Sequence, residues 1–278
     1  MTAIALATAC AVVYGAADFC GGLASRRSQV FAVVVLSQLA GLAFIVCLLP
    51  VLPGRNGTAA MAWGMVAGLA GGGGLVFFYR ALAIGTMSVV APVSATISAG
   101  LPVLFGLAVG ERPAPAALAG VALAILAVLL VSRGPAQEPA ARGLGPLALA
   151  SIAGAGFGGF FILLGNAPED AGPWPLLGAR FTSILLVTGI ALASRRGLRP
   201  APGSLRTIVL AGVLDMAANV LYMLAVHRGL LSLVAVIVSL YPASTLLLAR
   251  QVLGERLTPV QVTGVGLALG SVALIAAA

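Results

Sequence analysis

The chain has 278 residues, of which 61% are hydrophobic and 8% charged, with a formal net charge of +8 and a mean hydropathy of +1.14. A soluble domain carries about 25% charged residues, so this composition cannot build a water-facing surface. Runs apolar on every face also exclude a barrel with a polar lumen, which leaves an all-α polytopic membrane protein.

Ten apolar spans follow one another, each long enough to cross the hydrocarbon core as a helix. The first covers about residues 2–23 and ends at Arg26-Arg27. Its start lacks a basic region and a small-residue cleavage site, so it reads as a membrane helix and not a removed signal. The next spans cover about 30–52, 61–82 and 88–109, with a tight turn at Gly85 between the third and fourth. The fifth covers 115–131. A polar linker at 132–143, with Arg133, Pro135, Glu138 and Arg142, separates it from spans at about 144–164, 173–193, 206–226, 230–253 and 259–277. The expected organisation is a first five-helix repeat at 1–131, the linker at 132–143 and a second repeat at 144–278.

The duplication is visible residue by residue. A shift of 144 positions, the difference between 254 and 110, lays Gly110-Glu111-Arg112 on Gly254-Glu255-Arg256 and Pro115 on Pro259 without a gap. It also lays Gly120-Val121 on Gly264-Val265 and Gly85 on Gly229. Five helices per half is an odd number, so the two halves enter the membrane with opposite orientation: an inverted-topology repeat. Odd-numbered connections hold most arginines, among them Arg26, Arg27, Arg133, Arg142, Arg195, Arg196 and Arg199. Even-numbered ones hold Arg55, Arg112 and Arg228, with Glu169 and Asp170 in the sixth. The positive-inside rule then puts the odd connections in the cytoplasm and both termini outside a cell inner membrane.

The positive charge is scattered through short turns without aromatic partners, so it carries topology and no nucleic-acid patch. Cys10, Cys20 and Cys47 are isolated in apolar surroundings and read as packing residues. No cysteine, histidine and carboxylate set has metal spacing, and neither a hydrolase elbow nor a phosphate loop is present. No metal, cofactor or enzyme chemistry is expected. Gly264, Gly266 and Gly270 in the last span suit dimer contact as well as packing inside a monomer, so monomer and homodimer both remain open.

Ionisable residues at membrane depth are costly and mark function by default. Asp18 lies in the first span, Arg180 two turns into the seventh, and Asp215 mid-span in the eighth with Asn219 and Tyr222 on the same face. The aspartates suit a substrate ammonium or a coupling proton, and the arginine suits a carboxylate. Alternatively, Asp215 pairs with Arg180, or Asp18 with Arg26 or Arg27, and the pairs pin helices together. The fourth span carries Pro92, Ser94, Ser98 and Pro102; its counterpart, the ninth, carries Ser239, Tyr241 and Pro242. Prolines free backbone carbonyls, so both helices are candidates for kinks around a midplane site. Phe78-Tyr79, Tyr222 and the sixth span's Phe157, Phe160 and Phe161 sit on helices that also hold polar residues, which suits a cavity for a flat solute. Gly71–Gly74 suits close helix approach or a hinge.

The two five-helix halves, each with Gly-Glu-Arg closing its fourth helix and Pro and Gly opening its fifth, resemble the drug/metabolite transporter superfamily in its EamA branch. Tyr14-Gly15 stands where that family often has tryptophan-glycine. The resemblance implies movement of small metabolites by alternating access through a central cavity lined by the third, fourth, eighth and ninth helices. Exporters of amino acids, aromatic ones included, are the members nearest in character. The expected binding residues are Phe78, Tyr79, Ser94, Ser98, Asp215, Asn219, Tyr222, Ser239 and Tyr241, with Asp18, Asp215 and Arg180 as coupling or ion-pair groups. Efflux of cationic compounds, a membrane-embedded enzyme acting on a lipid-linked substrate, and a scaffold or sensor subunit are the competing readings. The partners expected are a small solute and membrane lipid.

Overall fold

The computed structural model describes residues 1–85, 87–131, 144–253 and 258–277. All regular structure among them is helical: α1 (Thr2–Arg27), α2 (Val30–Leu48), α3 (Thr58–Ile84), α4 (Met87–Ala108), α5 (Pro115–Val131), α6 (Pro146–Gly165), α7 (Trp174–Ala193), α8 (Leu205–Val226), α9 (Leu231–Val238), α10 (Tyr241–Leu253) and α11 (Pro259–Ala276), with a single 3-10 turn at Glu169–Ala171. Seven spans are long and apolar enough to cross a membrane by length and composition, α9 and α10 counting together as one, and three shorter apolar helices accompany them. The chain is an all-α polytopic membrane protein. The linker 132–143 and the second signature, Gly254-Glu255-Arg256, lie outside the described residues.

Local chemistry explains where helices start and stop. Pro115, Pro146 and Pro259 stand at first helical positions, where no backbone N–H is needed. At α11 the cap is reciprocal: Gln261 N–H donates to Thr258 Oγ1 (3.3 Å) and Thr258 N–H to Gln261 Oε1 (3.0 Å). Helix α1 runs past residue 23 to Arg27, because arginines in a last turn meet the negative end of the helix dipole and continue it into the polar zone. Between α9 and α10 the ladder stops at Ser239 and Leu240. Pro242 has no N–H for the Val238 carbonyl and its ring crowds that oxygen, so the helix ends at Val238 and restarts at Tyr241. Helix α4 runs unbroken through 92 and 102; the Pro92 side chain lies outside the description, and Pro102 is buried.

The repeat has a structural counterpart. Helices start at Thr2, Val30, Met87 and Pro115, and again at Pro146, Trp174, Leu231 and Pro259, each 144 residues later. The halves interleave: α3 packs between α6 and α7, while its counterpart α8 packs between α1 and α2. Likewise α4 lies on α6, α9 and α10 lie on α1, and α5 pairs with α11. Small residues make this closeness possible. On α3 a Cβ at Gly64 would overlap the Pro175 carbonyl, one at Gly68 the Ala179 carbonyl, and one at Gly72 would come within 2.7 Å of Ser183 Cβ. The equivalent of Gly68, Gly212, meets the Ser37 carbonyl of α2 in the same way.

The two ends are tied by contacts between loops of opposite halves. At one end Arg55 N–H donates to the Asp170 carbonyl (2.8 Å), and Gly172, at φ +54°, has no room for a Cβ beside the Pro53 carbonyl. At the other end Ala201 N–H donates to Ser28 Oγ (2.9 Å), in a region carrying Arg26, Arg27, Arg195, Arg196 and Arg199, all exposed.

Candidate functional site

The interleaved helices leave a central cavity that opens at a mouth. Its wall comes from α1, α2, α3, α4, α6, α7, α8 and α10. The floor of small residues, Gly68, Gly71 and Gly72 of α3, exists because those positions also have to fit against α6 and α7.

Much of the wall is aromatic. Tyr14, Phe157, Phe160, Phe161 and Tyr241 all line the cavity. Tyr14 meets Phe161 edge-on with centroids 6.2 Å apart, and Tyr241 lies 6.5 Å from Tyr14. Tyr222 stands behind this wall: its ring stacks on Phe161 at 4.6 Å and its hydroxyl donates to the Phe161 carbonyl (2.8 Å), which fixes the Phe161 ring from the back. Phe78 does the same for Phe157, at 5.4 Å in a T-shaped pair.

The polar groups divide into paired and unpaired. Arg180 donates to Gln38 Oε1 and forms an ion pair with Asp215 Oδ2. Asn219 Nδ2 donates to the Asp215 carbonyl (2.8 Å) and reaches Asp215 Oδ2 at 3.4 Å. Three helices, α2, α7 and α8, therefore meet in one polar network, whose ion pair is shielded from water on most sides (side-chain exposure 8% and 19%). Two groups stay outside it. The Asp18 carboxylate lines the cavity and is bonded to none of the described residues, and Asn219 Oδ1 is buried with no partner among them.

The residues singled out in the sequence separate accordingly. Asp18, Ser98, Arg180, Asp215, Asn219 and Tyr241 come together around the cavity. Ser94 is fully buried one layer out, sharing a 2.9 Å hydrogen bond with the Tyr241 hydroxyl. Tyr241 in turn donates to the Ala91 carbonyl at 3.2 Å, so a hydroxyl pair clamps α10 to α4. Phe78, Tyr79 and Tyr222 are buried behind the wall, Tyr79 against Gly21. Ser239 is buried and donates to the Val236 carbonyl (2.7 Å), within its own helix end. Asp18 does not pair with Arg26 or Arg27, both of which are exposed.

Sequence reasoning passed over Gln38, Leu176, Ala179 and Ser183, and treated Tyr14 only as a departure from a family pattern. Gln38 had a legible signal: a lone carboxamide midway along an apolar 19-residue helix. Nothing local marks Leu176 or Ala179, whose place in the wall depends only on which face of α7 meets the cavity.

A solved crystal structure shares the fold, with a TM-score of 0.75 at 18% identity, covering 97% of this chain and 94% of its own. No curated protein sequence matches the chain. The sequence model of the EamA-like transporter family matches residues 145–277, the whole of α6 to α11.

Proposed function

We propose that the chain, whose residues 145–277 match the EamA-like transporter family, is a membrane transporter of small solutes that exports metabolites bearing an ammonium group, amino acids foremost and aromatic ones among them. The observation that carries this reading is the unpaired Asp18 carboxylate in an aromatic cavity that also holds the Arg180–Asp215 pair.

A carboxylate without a partner among the described residues, set in a largely apolar cavity wall, attracts a cation. The rings beside it add cation–π attraction and a flat apolar surface. An amino acid can set its ammonium at Asp18 and its carboxylate at the guanidinium edge of Arg180, exchanging one ion pair for two. Asp215 is then the group that holds Arg180 when no solute is bound, and not the first contact for the ammonium. The interrupted span α9–α10 and the inverted repeat suit alternating access, one half rocking against the other around the cavity. An inner-membrane location with both termini outside belongs to the same proposal, and the arginine-rich end of the molecule supports it.

The formal charge of the cavity favours a second reading. Two carboxylates against one guanidinium leave −1, which suits organic cations without a carboxylate as well as zwitterions. Counterflow in proteoliposomes separates the readings: labelled amino acids, an aromatic amine and a quaternary aromatic cation are offered to the purified protein. Saturable exchange of amino acids, lost in Asp18→Asn, supports the first. Exchange of the cations alone supports the second, and no exchange of any solute sinks both.

A further inference from the structure

The aromatic wall of the cavity has an acceptor at each end. Asp18 lies one turn beyond Tyr14 on α1, and Tyr14 meets Phe161 edge-on. Phe161 stacks on Tyr222, and Asn219 lies one turn before Tyr222 on α8. The two helices run in opposite directions, with their register set by the Cys10 thiol on the Ala218 carbonyl (3.0 Å). Asp18 and Asn219 are therefore about 13 Å apart along the helix axes, at 1.5 Å per residue.

Asn219 is 3% exposed and lines the cavity. Its Nδ2 is held by two oxygens of Asp215, the carbonyl and Oδ2. Turning the amide over would set its oxygen against both, so the orientation is determined by the network. The consequence is that Oδ1 is left buried with no donor among the described residues. Buried acceptors are almost always satisfied, and an orphan beside a binding cavity marks a donor that arrives with a ligand.

We propose that this donor is a polar hydrogen on an aromatic ring of the solute, a phenol O–H or an indole N–H. The ammonium end is held at Asp18, the ring lies along Phe161, and its far edge donates to Asn219 Oδ1. The proposal rests on the ammonium-solute reading above and narrows it: the ring must donate. A phenyl ring fills the same space but leaves Oδ1 unpaired, and a site built around a polar contact rejects the analogue that lacks it.

Initial rates of counterflow in proteoliposomes test this with matched probes: tyrosine against phenylalanine, and tryptophan against 1-methyltryptophan. The donor-bearing member of each pair is expected to exchange at least about tenfold better at limiting concentration. Asn219→Leu is expected to bring both ratios close to one. Equal rates within each pair in the wild-type protein overturn the proposal while leaving amino-acid export standing, and so do ratios that persist in Asn219→Leu. The wild-type comparison needs no variant, so a misfolded Asn219→Leu does not blunt it. Exchange of none of the four would overturn this proposal and leave the export reading to amino acids without an aromatic ring.

Discussion

The Glu111 carboxylate accepts the Leu231 backbone N–H at 2.8 Å, and its second oxygen accepts the Ser232 N–H at 3.1 Å. The glutamate of the repeated Gly-Glu-Arg signature thus caps the N-terminus of α9, an element of the other half 120 residues away. In the sequence this signature marks only the close of the fourth helix. A negative charge there also meets the positive end of the α9 dipole. Its own backbone N–H bonds to the Gly106 carbonyl (2.8 Å), which bends the chain back so that the side chain can reach across. Glu111→Ala leaves two N–H groups of α9 uncapped and is expected to lower stability by about 1–2 kcal/mol. Gly106→Ala should do similar damage with Glu111 still present, because its new Cβ would overlap Glu111 Oε2 and push the carboxylate off the α9 N–H groups. Denaturant unfolding in detergent, compared with Glu111→Gln as the milder change, checks both.

The two aspartates should separate by assay. Asp215→Asn breaks an ion pair and leaves Arg180 shielded from water with only Gln38, so a loss of about 3 kcal/mol is expected. Arg180→Leu combined with Asp215→Leu should recover part of it, since no lone charge then remains. Asp18→Asn removes no hydrogen bond or ion pair to a described residue and should leave unfolding within about 0.5 kcal/mol of wild type, while solute exchange falls at least about tenfold. Equal destabilisation by Asp18→Asn and Asp215→Asn would contradict the assignment of paired and unpaired groups.

The tetraglycine stretch of α3 makes a sharper test of packing. Gly72→Ala puts a Cβ 2.7 Å from Ser183 Cβ and 3.0 Å from Ser183 Cα, whereas a Cβ at Gly73 meets nothing within 4 Å. Gly72→Ala is expected to cost about 1–3 kcal/mol through overpacking against α7. Gly73→Ala should be neutral or stabilising by up to about 1 kcal/mol, through better helix propensity. A hinge role for the whole stretch predicts the opposite emphasis, with transport slowed by Gly73→Ala as much as by Gly72→Ala.

His227, which follows the last residue of α8, gives a pH dependence with a definite sign. Burial holds its imidazole below the usual value of 6.5, Glu169 opposing and Arg228 adding to the effect. Its Nε2 is buried without a partner among the described residues. The unfolded chain therefore binds the proton more tightly than the folded one. Stability is expected to be complete above about pH 7 and to decline as pH falls through the ordinary histidine range. Thermal unfolding of wild type and His227→Gln between pH 8 and 5 reads this out: the variant should show the shallower decline.

Several of these groups were visible in the sequence, and their partners were not. Asp18, Arg180, Asp215 and Asn219 stand out because ionisable or amide side chains are rare in spans of this apolarity. Whether Arg180 would meet Asp215 or a solute carboxylate, and Asp18 an arginine of its own helix end or a solute, was undetermined, since the spans' rotation about their axes is set by nothing local. Tyr222 shares a helical face with Asp215 and Asn219 and was expected in the site. One turn further along α8 than Asn219, it instead lies behind Phe161, where its hydroxyl bonds to a backbone carbonyl.

By itself the sequence determined the membrane class, the order of ten apolar spans and the 144-residue register that four pairs of helix starts, from Thr2/Pro146 to Pro115/Pro259, obey. Those properties are one-dimensional: hydropathy needs only a window of about 20 residues, and a repeat needs only a shift. Tertiary structure alone decided which half touches which, that Glu111 caps α9, that Gln38 joins the Arg180 network and that Asp18 is left unpaired. Each of these depends on the direction a side chain takes around a helix and on contacts across a hundred residues or more. Close packing of small residues sets both, to within fractions of an ångström, and no local pattern records it.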